Sequence, residues 1–95
     1  MNRDEYVQKL KNQLDEWNAE AAKWEARTKA AQDDIKAEYE RQLALFHQRR
    51  EEGMHRMQEI QAASSAAWTE LMRGTDDAWK RMQEAFNQAR SKFGK

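Results

Sequence analysis

Apolar residues recur every three or four positions from Tyr6 to Phe93, and polar residues fill the gaps. That spacing marks amphipathic helix rather than strand, whose period is two. One seam position reads Val7, Leu14, Ala21, Thr28 and Ile35; its companion reads Leu10, Trp17, Trp24 and Ala31. Steps of seven residues put both on one helix face, where they pack as knobs against another helix. Ile35, Tyr39, Leu43 and Phe46 then follow at spacings of four, four and three, a step that locally unwinds a left-handed supercoil. The stripe is weakest at Arg50 and Gly53. It recovers through Met57 and Ile60, and again through Trp68, Leu71, Thr75, Trp79, Met82, Phe86, Ala89 and Phe93.

Asn2 or Asp4 is placed to cap the first helix, whose positive end also favours Asp4 and Glu5. Glu5 with Lys9, Glu25 with Lys29, and Glu52 with Arg56 stand four residues apart, a spacing that adds ~0.2–0.5 kcal/mol per pair. Gly53 has no capping residue after it and reads as helix interior. Ala62-Ala63-Ser64-Ser65-Ala66 is a break with a serine as the next cap. Gly74-Thr75-Asp76-Asp77 reads as a helix end, a new cap and two acids in a first turn. The pattern therefore predicts one helical coiled-coil domain over residues 1–95. Its helices are expected at about 3–63, 66–73 and 75–93, the last two separate or continuous.

Sixty helical residues span ~90 Å, and the C-terminal arm is less than half as long. An arm folded back at the serines would cover the first helix only as far as Ile35, leaving the indoles of Trp17 and Trp24 open. Bare indoles on one face call for a second chain, most simply in an antiparallel dimer. The expected oligomer seam is Leu10, Leu14, Trp17, Trp24, Ile35, Trp68, Leu71, Trp79, Met82, Phe86 and Phe93. A hairpin turning at Gly53 would instead bring Trp79 toward Trp24 and close the stripe within one chain.

Composition agrees with thin helix-on-helix seams. Hydrophobic residues make up 39% and charged residues 36%, and there is no proline to break a helix. The 17 basic and 17 acidic groups cancel, which disfavours nucleic acid as a partner. Without cysteine there is neither disulfide nor thiol chemistry. The N-terminal residues show no secretory h-region, and the longest apolar run, Leu43-Ala44-Leu45-Phe46, is far short of the ~20 residues of a membrane span. A cytoplasmic protein without a cofactor is the expectation.

Residues 5–20 (EYVQKLKNQLDEWNAE), 23–43 (KWEARTKAAQDDIKAEYERQL) and the paired Ala-Trp steps at Ala67-Trp68 and Ala78-Trp79 resemble a family of small bacterial coiled-coil proteins. Members are often labelled stress-response proteins and carry no assigned chemistry or catalytic residues. The resemblance implies a long helix followed by a shorter helical part, and a stress-associated role. The chain departs from that pattern at Phe46-His47, Gly53-Met54-His55 and Ser64-Ser65.

Two groups of residues carry candidate chemistry. His47, Glu51 and His55 lie four residues apart along one slanting row, and Glu52 with His55 forms a Glu-x-x-His pair of the kind that binds metal inside helical bundles. A complete di-metal site needs further carboxylates on facing helices, so a surface cluster competes with a metal site. Residues 79–95 combine Trp79, Met82, Phe86 and Phe93 with Lys80, Arg81, Arg90, Lys92 and Lys95. Such a basic amphipathic helix suits an anionic membrane or a partner groove as well as a core. The possible membrane or partner face is thus Trp79, Lys80, Arg81, Phe86, Arg90, Lys92 and Phe93. With no phosphate loop, nucleophile motif or triad, the expected function is non-enzymatic: a self-associating scaffold or interaction protein.

Overall fold

A computed structural model describes residues 2–94. Helix α1 (Arg3–Ala30), helix α2 (Asp33–Ala62) and helix α3 (Ala67–Phe93) form an up-down-up bundle 51 Å long and 18 × 17 Å across. The all-α class expected from the periodicity is the class observed. Asn2 is the cap that starts α1: its side-chain oxygen accepts from the Glu5 amide at 2.8 Å, and its amide nitrogen donates to the Glu5 carboxylate at 3.0 Å. This reciprocal arrangement resembles a capping box and satisfies an otherwise orphaned donor. Asp4 and Glu5 at the start of α1, with Arg27 and Lys29 at its end, complement the helix dipole.

The continuous helix expected over residues 3–63 is instead interrupted at Ala31 and Gln32. Both adopt extended backbone, with φ/ψ of −77°/156° and −70°/154°. The tertiary reason is the aromatic stripe itself. A straight rod would leave Trp17 and Trp24 in water, whereas a reversal after Ala30 lays α1 along the α2–α3 pair and buries both indoles. Each buried aromatic side chain is worth ~1.5–3 kcal/mol, more than the few hydrogen bonds lost at the break. The local signal was the reversal from basic Arg27 and Lys29 to acidic Asp33 and Asp34.

The break at the serines lies where the pattern put it. Ser64 Oγ accepts from the Ala67 amide at 3.2 Å, and the Ser64 carbonyl accepts from Ala67 and Trp68 at 3.1 Å each. The break expected at Gly74-Thr75 is absent, and α3 runs through it. Thr75 is fully buried and its hydroxyl donates to the Leu71 carbonyl at 3.1 Å, so it serves the helix interior rather than a new helix start. Gly53 is helix interior, as expected. It faces α3 so closely that an added Cβ would meet Met82 Cε and lie 2.9 Å from Trp79 Cζ3. Lacking a side chain there, α2 and α3 approach each other more closely than any other pair.

α1 stands farther from α3, and aromatic rings fill the space. Trp17 lies against Trp79 and Phe86, with ring centroids 6.5 and 5.8 Å away. Trp24 lies 4.9 Å from Phe86 and stacks on Phe93 at 5.2 Å and 9°. Tyr39 closes the end of the layer on Phe93 at 4.1 Å. Tyr6 of α1 donates to Asp76 of α3, the Arg27 guanidinium donates to the Phe93 carbonyl, and Arg3 reaches the Ala63 carbonyl. These contacts fix α1 and α3 as parallel neighbours.

Candidate functional site

The residues expected in an oligomer seam are mostly core within one chain. Leu10, Leu14, Trp17, Trp24, Trp79, Met82, Phe86 and Phe93 are all buried, with Trp17 and Trp24 only 6% and 3% exposed. Covering those two indoles therefore requires no second chain, and the length mismatch that suggested one is removed by the reversal at Ala31-Gln32. Trp68 and Leu71 sit half-buried at the edge of the core, Trp68 with its ring 6.1 Å from Tyr6. Ile35 departs from the expectation in the other direction. It is 45% exposed, the one exposed large hydrophobic residue among the described residues. Its place on the stripe is real, but α1 ends before it and offers no surface opposite.

The expected membrane face divides into two. Trp79, Phe86 and Phe93 point into the bundle and are 5%, 8% and 0% exposed. Lys80, Arg81, Arg90 and Lys92 lie on the outer side of the same helix. Lys92 reaches Glu38 of α2 at 3.8 Å. Hydrogen bonds from Arg41, then Gln42, hold the Glu38 carboxyl below its ordinary range, with the charges of Arg41 and Lys92 adding to them. Lys95 lies outside the described residues. The aromatic and basic halves of the segment thus serve different surfaces, and insertion into lipid would require α3 to leave the core. No helix among the described residues is long and apolar enough to cross a membrane.

The metal candidates are not gathered. His47 Nε2 faces Glu25 of α1 at 2.9 Å, while its Nδ1 is buried. Glu25 thereby turns across the helix pair rather than along α1 to Lys29. Glu52 pairs with Arg49 at 3.2 Å, Glu51 is exposed, and His55 stands 3.3 Å from Glu59. Among the described residues, no three of His, Asp or Glu have the geometry of a metal site.

Glu52, His55 and Glu59 instead line one side of an open groove of about 410 Å³ between α2 and α3, with Asp77 and Arg81 on the other side. Arg56 crosses toward Gly74, which leaves it room. Cations sit between the acids, so this is a mixed-charge surface that favours ion pairing over chelation. Glu59 was findable four residues from His55; Asp77 and Arg81 were not, because only the packing of α3 brings them in. Burial pushes the Tyr6 phenol up from its ordinary pKa, and its hydrogen bond to Asp76 and that residue's charge act in the same direction. The pair ties α1 to α3 and is a structural feature.

Fold and surface together define a three-helix bundle with an aromatic core and a charge-patterned exterior. No family model, curated protein or solved structure matches the chain.

Proposed function

We propose that this chain is a non-enzymatic, self-associating helical scaffold. Ile35 carries the reading: it belongs to the apolar stripe yet stands 45% exposed at one end of the bundle, while the other large apolar residues among those described are at least half-buried. A single exposed isoleucine is ordinary by area; what sets Ile35 apart is its register, seven residues after Thr28 and four before Tyr39 on the stripe that packs the core. A stress-associated role and a bacterial origin rest on the sequence resemblance alone, a cytoplasmic setting rests on the expectation drawn from the hydropathy pattern, and all three belong to the same proposal.

Sedimentation velocity from micromolar to millimolar protein tests it. A concentration-dependent dimer that Ile35→Lys weakens at least tenfold, with an unchanged monomer melt, supports the scaffold. A monomer at every concentration refutes it.

A further inference from the structure

The break between α1 and α2 is weakly coded, and that weakness tells how two copies join. Neither Ala31 nor Gln32 is glycine or proline, and neither has positive φ. Gln32 makes no side-chain cap to α2. The residues around it, Lys29-Ala30-Ala31-Gln32, are good helix formers. The other break has more local support, because Ser64 Oγ accepts from the Ala67 amide that opens α3 and Arg3 donates to the Ala63 carbonyl. The extended link at Ala31-Gln32 is thus held by the docking of α1, and it is the place where the chain can straighten.

We infer that two copies exchange α1. In each, α1 and α2 fuse through Ala31 and Gln32 into one helix, and α1 docks on the α2–α3 pair of the other copy. This rests on the self-association proposed above and specifies its form: the partner is a second copy of this chain, and the docking surface is the aromatic trough that α1 fills within one chain.

Three observations carry it. First, exchange keeps the bundle's own contacts, including Trp24 on Phe86 and Phe93, and merely divides them between chains; short links under tertiary constraint invite this. Second, straightening supplies helical partners to the carbonyls that end α1 and the amides that begin α2, which lack them at a break. It also sets Lys29 and Asp33 four residues apart on one helix, an attractive spacing for opposite charges.

Third, Ile35 becomes covered. It lies seven residues after Thr28 on the α1 stripe and four before Tyr39 on the α2 stripe, so a fused helix carries it on one continuous seam. Across the α1–α2 pair, Arg50 donates to the Asn18 side-chain oxygen and His47 Nε2 faces the Glu25 carboxylate, and the midpoints of these pairs fall at positions 34 and 36. If the fused helices keep that register as an antiparallel pair, the two-fold axis passes within a turn of Ile35. Ile35 of one copy then faces Ile35 of the other. The residue left bare in the closed bundle sits at the centre of the exchanged one.

The chain has no cysteine, so a pair can be introduced cleanly. Asn18→Cys with Arg50→Cys places one thiol on α1 and one on α2 at a contact made within the closed bundle. The protein is refolded at millimolar concentration, its dimer isolated, and a short bismaleimide added. Links between chains, seen as a dimer on a denaturing gel, are expected. Links within single chains in a stable dimer overturn the exchange while leaving self-association standing; absence of any dimer overturns both.

Gln32→Pro supplies an independent reading. The φ of −70° at Gln32 suits proline, and the extended Ala31 suits the position before it. The backbone hydrogen bonds at the break are donated by Ala31 and Lys36, so the substitution leaves them in place. Proline inside a fused helix removes a hydrogen bond and clashes with the preceding turn, so the dimer is expected to weaken at least a hundredfold while the monomer folds normally. A Gln32→Pro dimer as tight as the parent's counts against the exchange.

Discussion

Adding one methyl group at Gly53 sets two effects against each other. Helix propensity favours alanine over glycine by ~1 kcal/mol in a helix interior. Sterically, the new Cβ would collide with Met82 Cε and lie 2.9 Å from Trp79 Cζ3 and 3.1 Å from its Cε3. Met82 has a flexible end, but it is fully buried, and the Trp79 ring is backed by Trp17. Overpacking of this kind costs ~1–3 kcal/mol, so Gly53→Ala is expected to lower stability by roughly 1 kcal/mol net. Gly74→Ala is the control, since its Cβ would find only the Arg56 guanidinium, with Nη1 at 3.9 Å and Cζ at 4.0 Å, and should realise the propensity gain of ~1 kcal/mol. The two variants should therefore move in opposite directions, each by ~4–8 °C in melting temperature for a domain of this size. Urea denaturation at low micromolar protein, followed by circular dichroism and tryptophan fluorescence, measures both, with an unchanged slope confirming two-state comparison. In a Met82→Ala background the penalty at Gly53 should shrink by at least ~0.5 kcal/mol, because the nearest obstacle is gone. If Gly53→Ala stabilises as much as Gly74→Ala, the close α2–α3 approach is wrong.

Trp24→Ala should cost ~3–5 kcal/mol, since it empties the space between Phe86 and Phe93, whereas Ile35→Ala should change the monomer by less than ~0.5 kcal/mol; chemical denaturation of the two compares them directly. Tyr6 has a pKa raised by folding, so the neutral phenol is the form the bundle favours. Its contribution is whole below pH ~10 and is lost as pH rises through the folded-state value. Melts across alkaline pH should show Tyr6→Phe with a shallower decline than the parent once the pH passes ~10.

The apolar spacing was enough to place most of the core, because helix periodicity ties each seam residue to its neighbours three and four positions away. Asn2, the serine break and the continuity at Gly53 were legible for the same reason: each is decided by local backbone and capping chemistry. Gly74-Thr75 misled because its local signals are those of a helix end, yet Thr75 can bond to Leu71 and remain helical once packed. The groove between α2 and α3 was half legible. Glu52, His55 and Glu59 share one helix, while Asp77 and Arg81 join them only through the α2–α3 crossing. The candidate metal row of His47, Glu51 and His55 is not gathered, because His47 turns to Glu25 on another helix and His55 to Glu59.

By itself the amino-acid sequence determined that this protein is helical, that its tryptophans lie on one stripe, and that this stripe must be covered. Those are properties of residue type and of a 3.6-residue period. The tertiary structure alone decided what covers it. Residues Ala31 and Gln32 favour helix by their own propensity, so their extended backbone follows from where α1 can bury Trp17 and Trp24. Within one chain that means a reversal at Ala31-Gln32. The exposed Ile35 beside that reversal is the mark of a link set by packing rather than by its own residues.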